Sequence, residues 1–535
     1  MQAKKLSIIG LLFFFNSQIG FSQSGTIGDS ITWRIAENVL TIGGTGAIPR
    51  YGAMWVDSSG IYTVAPWGIH RKFFTTAVIE SDITSMSSPA FYGCTDLTSI
   101  NVVSNNPNLS SVDGVVFNKD QTTLLLYPQG KQGAYVIPDG VTSIEWNTFD
   151  DCIGLIAVTI PNSVTKIRGR AFQGCTGLTS VIIPNSVTEV GWGAFLCCTG
   201  LTSITIPSSL TFMGYSAFDG CTSLMSINVD TDNPNYSSAD GVVFNKDQTE
   251  LILYPRGRQG AYFIPDGVTS IRGSAFYNCI GLTSVAFPNS VREVGTYAFV
   301  GTGLTSITFP SSMTTIRYDA FRFCDNLISM DVVPDNPIFS SVDGVVFNKD
   351  QTELILYPRG RQGDYVIPNS ITSISQGAFY ECKGLTSVII PNSVISLGSY
   401  SFERCTGLTS VIIPNSVTLI ENSVFQYCFN LTSIIIPDSV TSIGSLAFSS
   451  CTGLISITLS RNLTSIESNA FSGSTSLTSV ISLNPTPPTV LQSFGSRSLT
   501  FSRLNSACCL YVPRKSVRAY QSAVGWSDFS CIKKR

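Results

Sequence analysis

The chain has 535 residues, of which 13% are charged, and its formal net charge is −3. This composition excludes a strongly basic surface of the kind that neutralises phosphates, so we expect no nucleic-acid partner. The length alone would predict about three or four globular domains, but internal repetition makes one long domain the simpler interpretation.

The N-terminus has the three parts of a signal peptide. Lys4 and Lys5 precede an apolar run over residues 6–15, and a polar stretch over residues 22–24 follows. The apolar run is too short to span a bilayer. We therefore expect residues 1–23 to direct export. No later apolar run in the sequence is long enough to predict a transmembrane segment.

Residues 24–78 precede the repeats and follow a different pattern. Thr32–Ile35 and Val39–Gly43 alternate polar and apolar residues, which predicts two strands joined by a short turn. An uncovered solenoid end would expose both its core and an unpaired strand edge. We therefore interpret residues 24–78 as an N-terminal cap.

A 23-residue unit repeats over residues 79–481. Eight of the twelve steps between units are 23 residues long, one is 22 and three are 58. Such a fixed period is typical of a solenoid, in which each unit buries its apolar edge against its neighbours. Counted from the residue before the first proline of each unit, thirteen rungs begin at Ile79, Ile137, Ile160, Ile183, Ile206, Ile264, Phe287, Phe309, Ile367, Ile390, Ile413, Ile436 and Leu459.

Each rung contains a short predicted strand and one aromatic position. The segment L-T-S-x-x-I-P is rich in β-branched residues and ends at a proline, which predicts a strand. In the copy over residues 178–184 its inward residues should be Leu178, Val181 and Ile183. Phenylalanine stands twelve residues after the rung start in all thirteen rungs. We expect these rings to stack in a buried column, because a solvent-facing site would not need one in every copy.

Eleven of the fifteen cysteines occupy one position of the rung, where a small apolar thiol fills a tight turn. Zinc sites use C-x2-C pairs with accompanying histidines, and the cysteines of this chain have neither, so we favour buried free thiols and predict no metal site. A few lateral disulfides are an open alternative. The 22-residue rung lacks this cysteine and has Gly301-Thr302-Gly303 there. The eleven are Cys94, Cys152, Cys175, Cys198, Cys221, Cys279, Cys324, Cys382, Cys405, Cys428 and Cys451.

Three insertions of 35 residues, near residues 103–136, 230–263 and 333–366, are near-copies of one another. Each contains D-G-V-V-F-N-K-D-Q-T, followed by an apolar strand and Y-P. An apolar run, a polar turn and a second apolar run are the signature of a hairpin. We predict three inserted β-hairpins that project from the solenoid and rejoin it at I-P.

Beyond the last rung the period decays, and Pro485–Pro488 breaks the strand ladder. We interpret residues 482–535 as a C-terminal cap that covers the last rung. A disulfide between Cys531 and either Cys508 or Cys509 is compatible with an exported chain, but the sequence does not decide it.

The unit I-P-x-S-V-T-x-I-x-x-x-A-F-x-x-C-x-x-L-T-S-V resembles the BspA-like class of bacterial leucine-rich repeats. The opening at Thr32–Trp67, the insertions and the close at Leu510–Phe529 agree with this resemblance, which covers residues 25–530. It implies a right-handed leucine-rich-repeat solenoid, mostly β and irregular, with a parallel sheet on its concave side. It also implies a secreted or cell-surface location and adhesion to host or neighbouring-cell proteins or glycoproteins. It carries no shared catalytic residues.

Little in the sequence points to catalysis. A catalytic site needs a few unlike residues that converge at one unrepeated place. The single histidine, His70, lies in the predicted N-terminal cap, and Glu145, Glu189, Glu293 and Asp319 lie at scattered rung positions. We therefore predict a non-enzymatic protein without a cofactor.

A calcium site has weak support from the second insertion. Asp230, Asp232 and Asp240 supply carboxylates, but they do not match the ligand spacing of an EF-hand loop. Asx-turns explain these residues more simply.

The outward strand residue just before each rung start forms the first candidate binding surface. On a leucine-rich-repeat sheet these residues should point to the concave face and form a neutral stripe rich in β-branched side chains. An extended apolar patch marks an interaction site, but β-propensity alone also explains the residues. The candidates are Ile182, Thr205, Phe263, Val366, Ile389, Ile412 and Ile435.

The basic loop after each insertion forms the second candidate surface. Its residues are Lys131 in the first copy, Arg256 and Arg258 in the second, and Arg359 and Arg361 in the third. Paired guanidinium groups could engage carboxylates or sulfated glycans. Solvated turn residues are the alternative interpretation.

These observations favour an exported, non-enzymatic protein that binds a protein or glycoprotein through its repeat surface. A passive extracellular or envelope scaffold, with or without self-association, is the first alternative. A protein that binds or hydrolyses glycans is a weaker one.

Overall fold

The computed structural model describes residues 22–28, 30–49, 51, 65–491 and 500–535. Residues 1–21 of the predicted signal peptide lie outside the described residues, as do parts of both predicted caps. The chain divides into two compact units. The first comprises Met1–Leu201 and Ser209–Asp219, and the second comprises Thr202–Ser208 and Gly220–Arg535.

Each unit is a β-solenoid built from coils that carry one longer and one very short strand. The fold is almost entirely strand and turn, as predicted. In the described part of the chain there is one α-helix, and the helical segments are Val517–Ser522 and the 3-10 turns Pro66–His70, Ser88–Phe91 and Tyr318–Phe321.

The longer strands form parallel sheets, which we call the long-strand sheets. In the first unit they are Thr76–Ile79, Ser99–Val102, Gly133–Val136, Leu155–Thr159 and Ser180–Ile182. In the second unit they are Ser203–Ile206, Ser226–Val229, Gly260–Phe263, Leu282–Ala286, Ser306–Phe309, Ser329–Val332, Gly363–Val366, Leu385–Ile389, Ser410–Ile412, Ser433–Ile435, Ser456–Leu459, Ser479–Ser482, Cys509–Val512 and Cys531–Lys534.

Two-residue strands on another side of each coil form the short-strand sheets. In the first unit they are Ser143–Ile144, Lys166–Ile167, Glu189–Val190 and Phe212–Met213. In the second unit they are Ser270–Ile271, Glu293–Val294, Ser373–Ile374, Ser396–Leu397, Leu419–Ile420, Ser442–Ile443, Ser465–Ile466 and Thr489–Val490.

The sequence period and the structural coil coincide. Val158 pairs with Val181 in the long-strand sheet of the first unit, and Ile457 pairs with Val480 in that of the second. Equivalent residues of successive rungs therefore stand side by side. Leu178, Val181 and Ile183 are all buried, as the strand pattern predicts.

The phenylalanine column is the centre of each core. In the first unit the ring centroids of Phe149 and Phe172 lie 4.7 Å apart, and those of Phe172 and Phe195 lie 5.1 Å apart. In the second unit Phe402 and Phe425 stack at 5.5 Å. The predicted stacking of buried rings is confirmed within both units, with the repeated phenylalanines at most 3% exposed.

The eleven column cysteines are buried and free, so the alternative of lateral disulfides among them is wrong. Their thiols do more than fill space, because the Sγ of Cys175 donates to the Phe149 carbonyl at 3.0 Å. Ser474 makes the equivalent bond to the Phe448 carbonyl at 2.8 Å. In the 22-residue rung, buried Thr302 stands at the cysteine position and donates to the Phe299 carbonyl. The position therefore selects a small hydrogen-bond donor.

The three insertions form hairpins that are packed into the fold. Each is a three-stranded antiparallel meander whose last strand joins the short-strand sheet in parallel. Val115, Val116 and Phe117 are fully buried, so the expectation that the hairpins project is wrong. The strands are Leu109–Val112, Val115–Asn118 and Thr123–Leu126, then Tyr236–Ala239, Val242–Asn245 and Glu250–Leu253, then Phe339–Val342, Val345–Asn348 and Glu353–Leu356.

Each insertion also supplies an aromatic ring to the core. Tyr127, Tyr254 and Tyr357 are buried, and each lies 4.9 Å from the phenylalanine of the following rung. Each insertion thus forms a coil of its own in the solenoid, and its tyrosine stands where the other coils have the repeated phenylalanine.

A buried asparagine ties each insertion to the preceding rung. The Nδ2 of Asn336 donates to the carbonyls of Pro310 and Met313, and its Oδ1 accepts from the backbone N–H groups of Ile338 and Phe339, all within 3.0 Å. Asn106 makes the equivalent four contacts in the first unit. All its amide donors and acceptors are used inside the protein, which fixes the start of the insertion.

Antiparallel strands cover the first rung. Gln23–Ile27, Ile31–Ala36 and Val39–Gly44 form a meander, and the last of them pairs in parallel with Thr76–Ile79. Trp67 is fully buried, and its Nε1 donates to the Ala90 carbonyl at 2.8 Å. A separate parallel pair joins Gly46–Ala47 to Ile83–Ser85.

The C-terminal residues extend the solenoid and then close it. Phe501 stacks on Phe471 at 5.4 Å, and buried Trp526 lies against Phe501. The final two long strands are linked by a disulfide between Cys509 and Cys531, while Cys508 is buried and free. The sequence had left this pairing undecided.

Candidate binding surfaces

The candidate stripe of the second unit lies on the outer face of its long-strand sheets. Val366 pairs with Ile389, and Ile389 pairs with Ile412, so the three side chains form one row across adjacent coils. They are 62%, 58% and 77% exposed. Ile435 is 71% exposed and pairs with Thr458. Aliphatic side chains this open to water cost solvation free energy that a covering partner would recover.

The remaining stripe candidates occupy equivalent places. Phe263 is 75% exposed and pairs with Ala286, and Thr205 is exposed and pairs with Asn228. In the first unit Ile182 is 79% exposed and pairs with Thr159. Their role in binding stays a prediction.

Hydroxyl side chains flank the stripe and leave it uncharged. Ser387 pairs with Ser410, two residues before the paired stripe residues Ile389 and Ile412. The long strands over residues 385–459 carry no charged residue. At its border, Asp364 accepts hydrogen bonds from Thr386 and Ser387, which lower the pKa of this carboxyl. The stripe therefore suits an uncharged patch on a partner.

The basic loops make contacts within the fold. Arg258 donates to the Asp240 carbonyl and to its carboxylate at 2.5 and 2.6 Å. Arg361 donates to the Asp343 carbonyl, and Lys131 donates to the Asp113 carbonyl at 2.6 Å. These cations hold the two-residue Asp-Gly turn at the tip of each insertion hairpin.

The first arginine of each pair is buried rather than solvated. Arg256 is 7% and Arg359 3% exposed. Arg359 donates to the carbonyls of Tyr380 and Tyr318, and its Nη1 lies 3.6 Å from the buried Glu381 carboxylate. The solvated-turn interpretation is wrong for these two residues, and the anion-binding interpretation of the other three stays a prediction.

The carboxylates considered for catalysis are spread over the chain. Glu145 and Glu189 lie on either side of Arg168 in the first unit, at 4.0 and 3.8 Å. Asp319 pairs with Arg317 at 2.7 Å in the second unit. The two glutamate pairs are partly exposed, and such pairs contribute about 0–1 kcal/mol each. Asp319 itself is buried, at 8% exposed.

One buried carboxyl has an unusual environment. Asp150 is 8% exposed, and burial raises its pKa to about 7, with a smaller contribution from the adjacent Asp151. Arg170 and a hydrogen bond from Gln173 oppose this rise. No sequence pattern marks this carboxyl, because its burial depends on how the coils pack.

His70 and the insertion aspartates have structural contacts. The His70 ring lies 5.8 Å from Trp33 and 6.4 Å from Phe73, as in a packing role. Asp230 Oδ1 accepts from the Asp232 N–H at 3.0 Å, which is an Asx-turn. Among the described residues, no group of three or more His, Cys, Asp or Glu side chains has the arrangement of a metal site.

Within the described part of the chain, no helix has both the length and the apolar character needed to cross a bilayer.

The repeated coils, their stacked phenylalanines and their parallel sheets define a leucine-rich-repeat solenoid. The family model for the BspA type leucine rich repeat region matches residues 70–124, 126–245, 261–358 and 363–499, in six copies. The chain therefore belongs to the BspA-type leucine-rich-repeat family, as the sequence resemblance indicated.

Solved structures of similar proteins come from several bacteria. A leucine rich cell surface protein from Faecalibacterium prausnitzii A2-165 is 24% identical, with 91% of this chain and 98% of that chain covered and a TM-score of 0.39. Pneumococcal vaccine antigen PcpA is 17% identical, with 96% and 98% covered and a TM-score of 0.39. A leucine-rich repeat protein from Bacteroides ovatus is 22% identical, with 95% and 99% covered and a TM-score of 0.28. No curated protein matched the chain.

Proposed function

We propose that this protein is an exported, non-enzymatic binding protein that engages a protein or glycoprotein partner through the stripe of its long-strand sheets. The supporting observation is the row formed by Val366, Ile389 and Ile412, which are more than half exposed, with Asp364 as the charged residue at the border of the row. Contiguous exposed apolar rows are uncommon on soluble proteins and mark interaction sites. Membership of the BspA-type family agrees with a binding or adhesion role.

Export and a surface location are part of the same proposal. The N-terminal sequence pattern supports export, and the Cys509–Cys531 disulfide is of the kind that persists in oxidising compartments. Separating cells into medium, envelope and cytoplasm and locating the chain by immunoblot tests this part. Recovery only from the cytoplasm would contradict it.

The binding test uses the full chain against immobilised purified matrix and plasma glycoproteins. A triple variant with lysine at Ile389, Ile412 and Ile435 should lose saturable binding to any partner found. A matched triple variant with lysine at Ile280, Ile328 and Ile395, which are 69%, 55% and 62% exposed at other positions of the rung, should retain it. Equal binding by both variants would contradict the proposal.

Self-association is the second candidate function, supported by the same uncharged face. Two copies that meet through uncharged stripes face no like-charge repulsion. Sedimentation at increasing protein concentration distinguishes the two functions. Assembly without a foreign partner, abolished by the stripe variant alone, favours the scaffold.

A further inference from the structure

The first unit carries a row of exposed aromatic side chains on a different surface from the stripe. Trp146, Trp192 and Tyr215 are 47%, 40% and 79% exposed. All three occupy the ninth position after a rung start, three residues before the buried phenylalanine. We call these three residues the aromatic row.

The row is in register along the solenoid axis. The Arg170 N–H donates to the Trp192 carbonyl at 2.9 Å, and the Gly193 N–H donates to the Tyr215 carbonyl at 3.1 Å. Backbone hydrogen bonds between successive coils therefore align the ninth positions. Trp192 and Tyr215 are one coil apart and Trp146 and Trp192 are two, which corresponds to about 5 and 10 Å at the usual strand spacing.

The intervening coil has a glycine where the others have an aromatic ring. A Cβ added to Gly169 would lie 2.1 Å from Cζ3 of Trp146, so this indole ring lies over the glycine backbone. On the next coil, the Arg170 guanidinium lies 4.3 Å from the centre of the Trp192 ring. Each indole thus has one supported face and is held in place while it stays accessible to solvent.

The fold does not require these rings. The same position holds Tyr318 in one rung of the second unit and small or polar residues in the remaining rungs, whereas the buried phenylalanine is present in all thirteen. A residue needed for coil stacking recurs in every copy, and one that serves a site does not. The other occupants include Gly273, Thr296, Gln376, Ser399, Asn422, Ser445 and Ser468.

Loose ion pairs lie beside the aromatic row. Arg168 lies 4.0 Å from Glu145 and 3.8 Å from Glu189, and Lys166 lies 3.8 Å from Glu189. These separations exceed hydrogen-bond length, so oxygens and N–H groups can still bond to another molecule. The two positive and two negative side chains cancel in net charge, so this surface suits a polar, uncharged ligand.

We infer that the aromatic row binds a neutral, extended β-linked glycan whose chain lies along the solenoid axis. Sugar rings present flat C–H faces that pack on Trp146, Trp192 and Tyr215, and their hydroxyl groups bond to Glu145 and Arg168. Rings that are in register along one axis, one and two coils apart, suit an extended polymer that can contact each of them in turn. This site is separate from the stripe and does not depend on the function proposed for it.

The test is affinity electrophoresis of the full chain through gels that contain β-glucan, xylan, β-mannan or soluble chitin, followed by calorimetry with the matching oligosaccharide. Retardation by at least one of these glycans is expected. Trp146→Ser and Trp192→Ser should each weaken binding by at least about tenfold. Serine occupies this position in other rungs, so the melting temperature should stay close to that of the parent chain.

Two further variants complete the test. Trp192→Tyr keeps a flat ring and should retain most of the affinity. Phe263→Ser removes an exposed ring from the stripe and should leave glycan binding unchanged. Three results would overturn the inference: no glycan retards the chain, the tryptophan variants bind as the parent does, or they lose a protein partner but no glycan.

Discussion

At the scale of single residues, the repeated phenylalanine stabilises each coil by stacking on the rings of its neighbours. Phe402 is fully buried and stacks on both Phe379 and Phe425, at 4.8 and 5.5 Å. Removing a ring from such a stack loses its transfer free energy and leaves a cavity that rigid neighbouring coils cannot fill.

Phe402→Ala should therefore lower the free energy of unfolding by about 3–5 kcal/mol. Phe429 is 42% exposed, so Phe429→Ala should cost less than about 1 kcal/mol. Chemical denaturation followed by far-ultraviolet circular dichroism measures both. Equal losses for the two variants would show that the column is not the core.

Asp150 should make the stability of the first unit depend on pH. Its folded-state pKa of about 7 lies above the ordinary value of 3.8, so folding favours the protonated form and stability falls as the pH rises between these values. Asp150→Asn removes this penalty. The variant should be more stable than the parent chain by roughly 2–4 kcal/mol at about pH 8, with little gain at about pH 4. Thermal melts across this range test the sign, and a gain that is larger in acid would contradict it.

At the scale of elements, the insertions depend on buried asparagines and on Asp-Gly turns. Gly344 has a φ of +67°, and a Cβ there would lie 2.3 Å from the Ser329 hydroxyl oxygen. The preceding Asp343 also has a positive φ, which is the backbone of a two-residue hairpin loop. Turn and anchor together keep the hairpin packed against the preceding coil.

Asn336→Leu should destabilise the third insertion by about 3 kcal/mol or more, because three buried backbone groups and one partly buried group lose their partner. Hydrogen exchange should show faster exchange over residues 337–357. Asn392→Leu, at an exposed turn, is the matched control and should leave exchange unchanged. Unchanged protection in Asn336→Leu would mean that the anchor is dispensable.

The disulfide should stabilise the last strand of the second unit. Cys509 and Cys531 are directly paired across the two final strands, 22 residues apart in sequence. A loop of this size corresponds to about 3 kcal/mol. A reductant should speed hydrogen exchange over Cys531–Lys534 in the parent chain and have no further effect on Cys531→Ser. An equal response of both proteins would contradict this assignment.

At the scale of the whole molecule, the sequence predicted what repetition controls. Strand positions, buried rings and free thiols recur at a fixed period, so each copy supports the interpretation of the others. Val181 and Ile183 point inward for this reason, and the rings of Phe149 and Phe172 stack as predicted.

Features outside the period were harder to predict. Tyr127 completes a coil from within an insertion, where no neighbouring copy supplies a template. Arg359 is buried because of contacts with Tyr318, which lies 41 residues earlier. Thr302 stands in place of a cysteine and also donates a hydrogen bond, but to the Phe299 carbonyl of its own coil.

The aromatic row could have been found by looking for residues that depart from the repeat. Trp146 and Trp192 break the repeat at a position where other rungs vary freely, and departures from a repeat indicate function. Solvent exposure and coil register, however, came from the structure. The exposed stripe was identified from strand alternation, but its role in binding depends on a partner.

The central claim is that the stripe of the long-strand sheets is the binding surface. The most direct measurement is surface plasmon resonance of the full chain over purified matrix and plasma glycoproteins, with the Ile389, Ile412 and Ile435 lysine variant beside the Ile280, Ile328 and Ile395 variant. Saturable binding that is lost only in the first variant, with unchanged melting temperature in both, is the predicted result. Binding that survives in the first variant would contradict the claim.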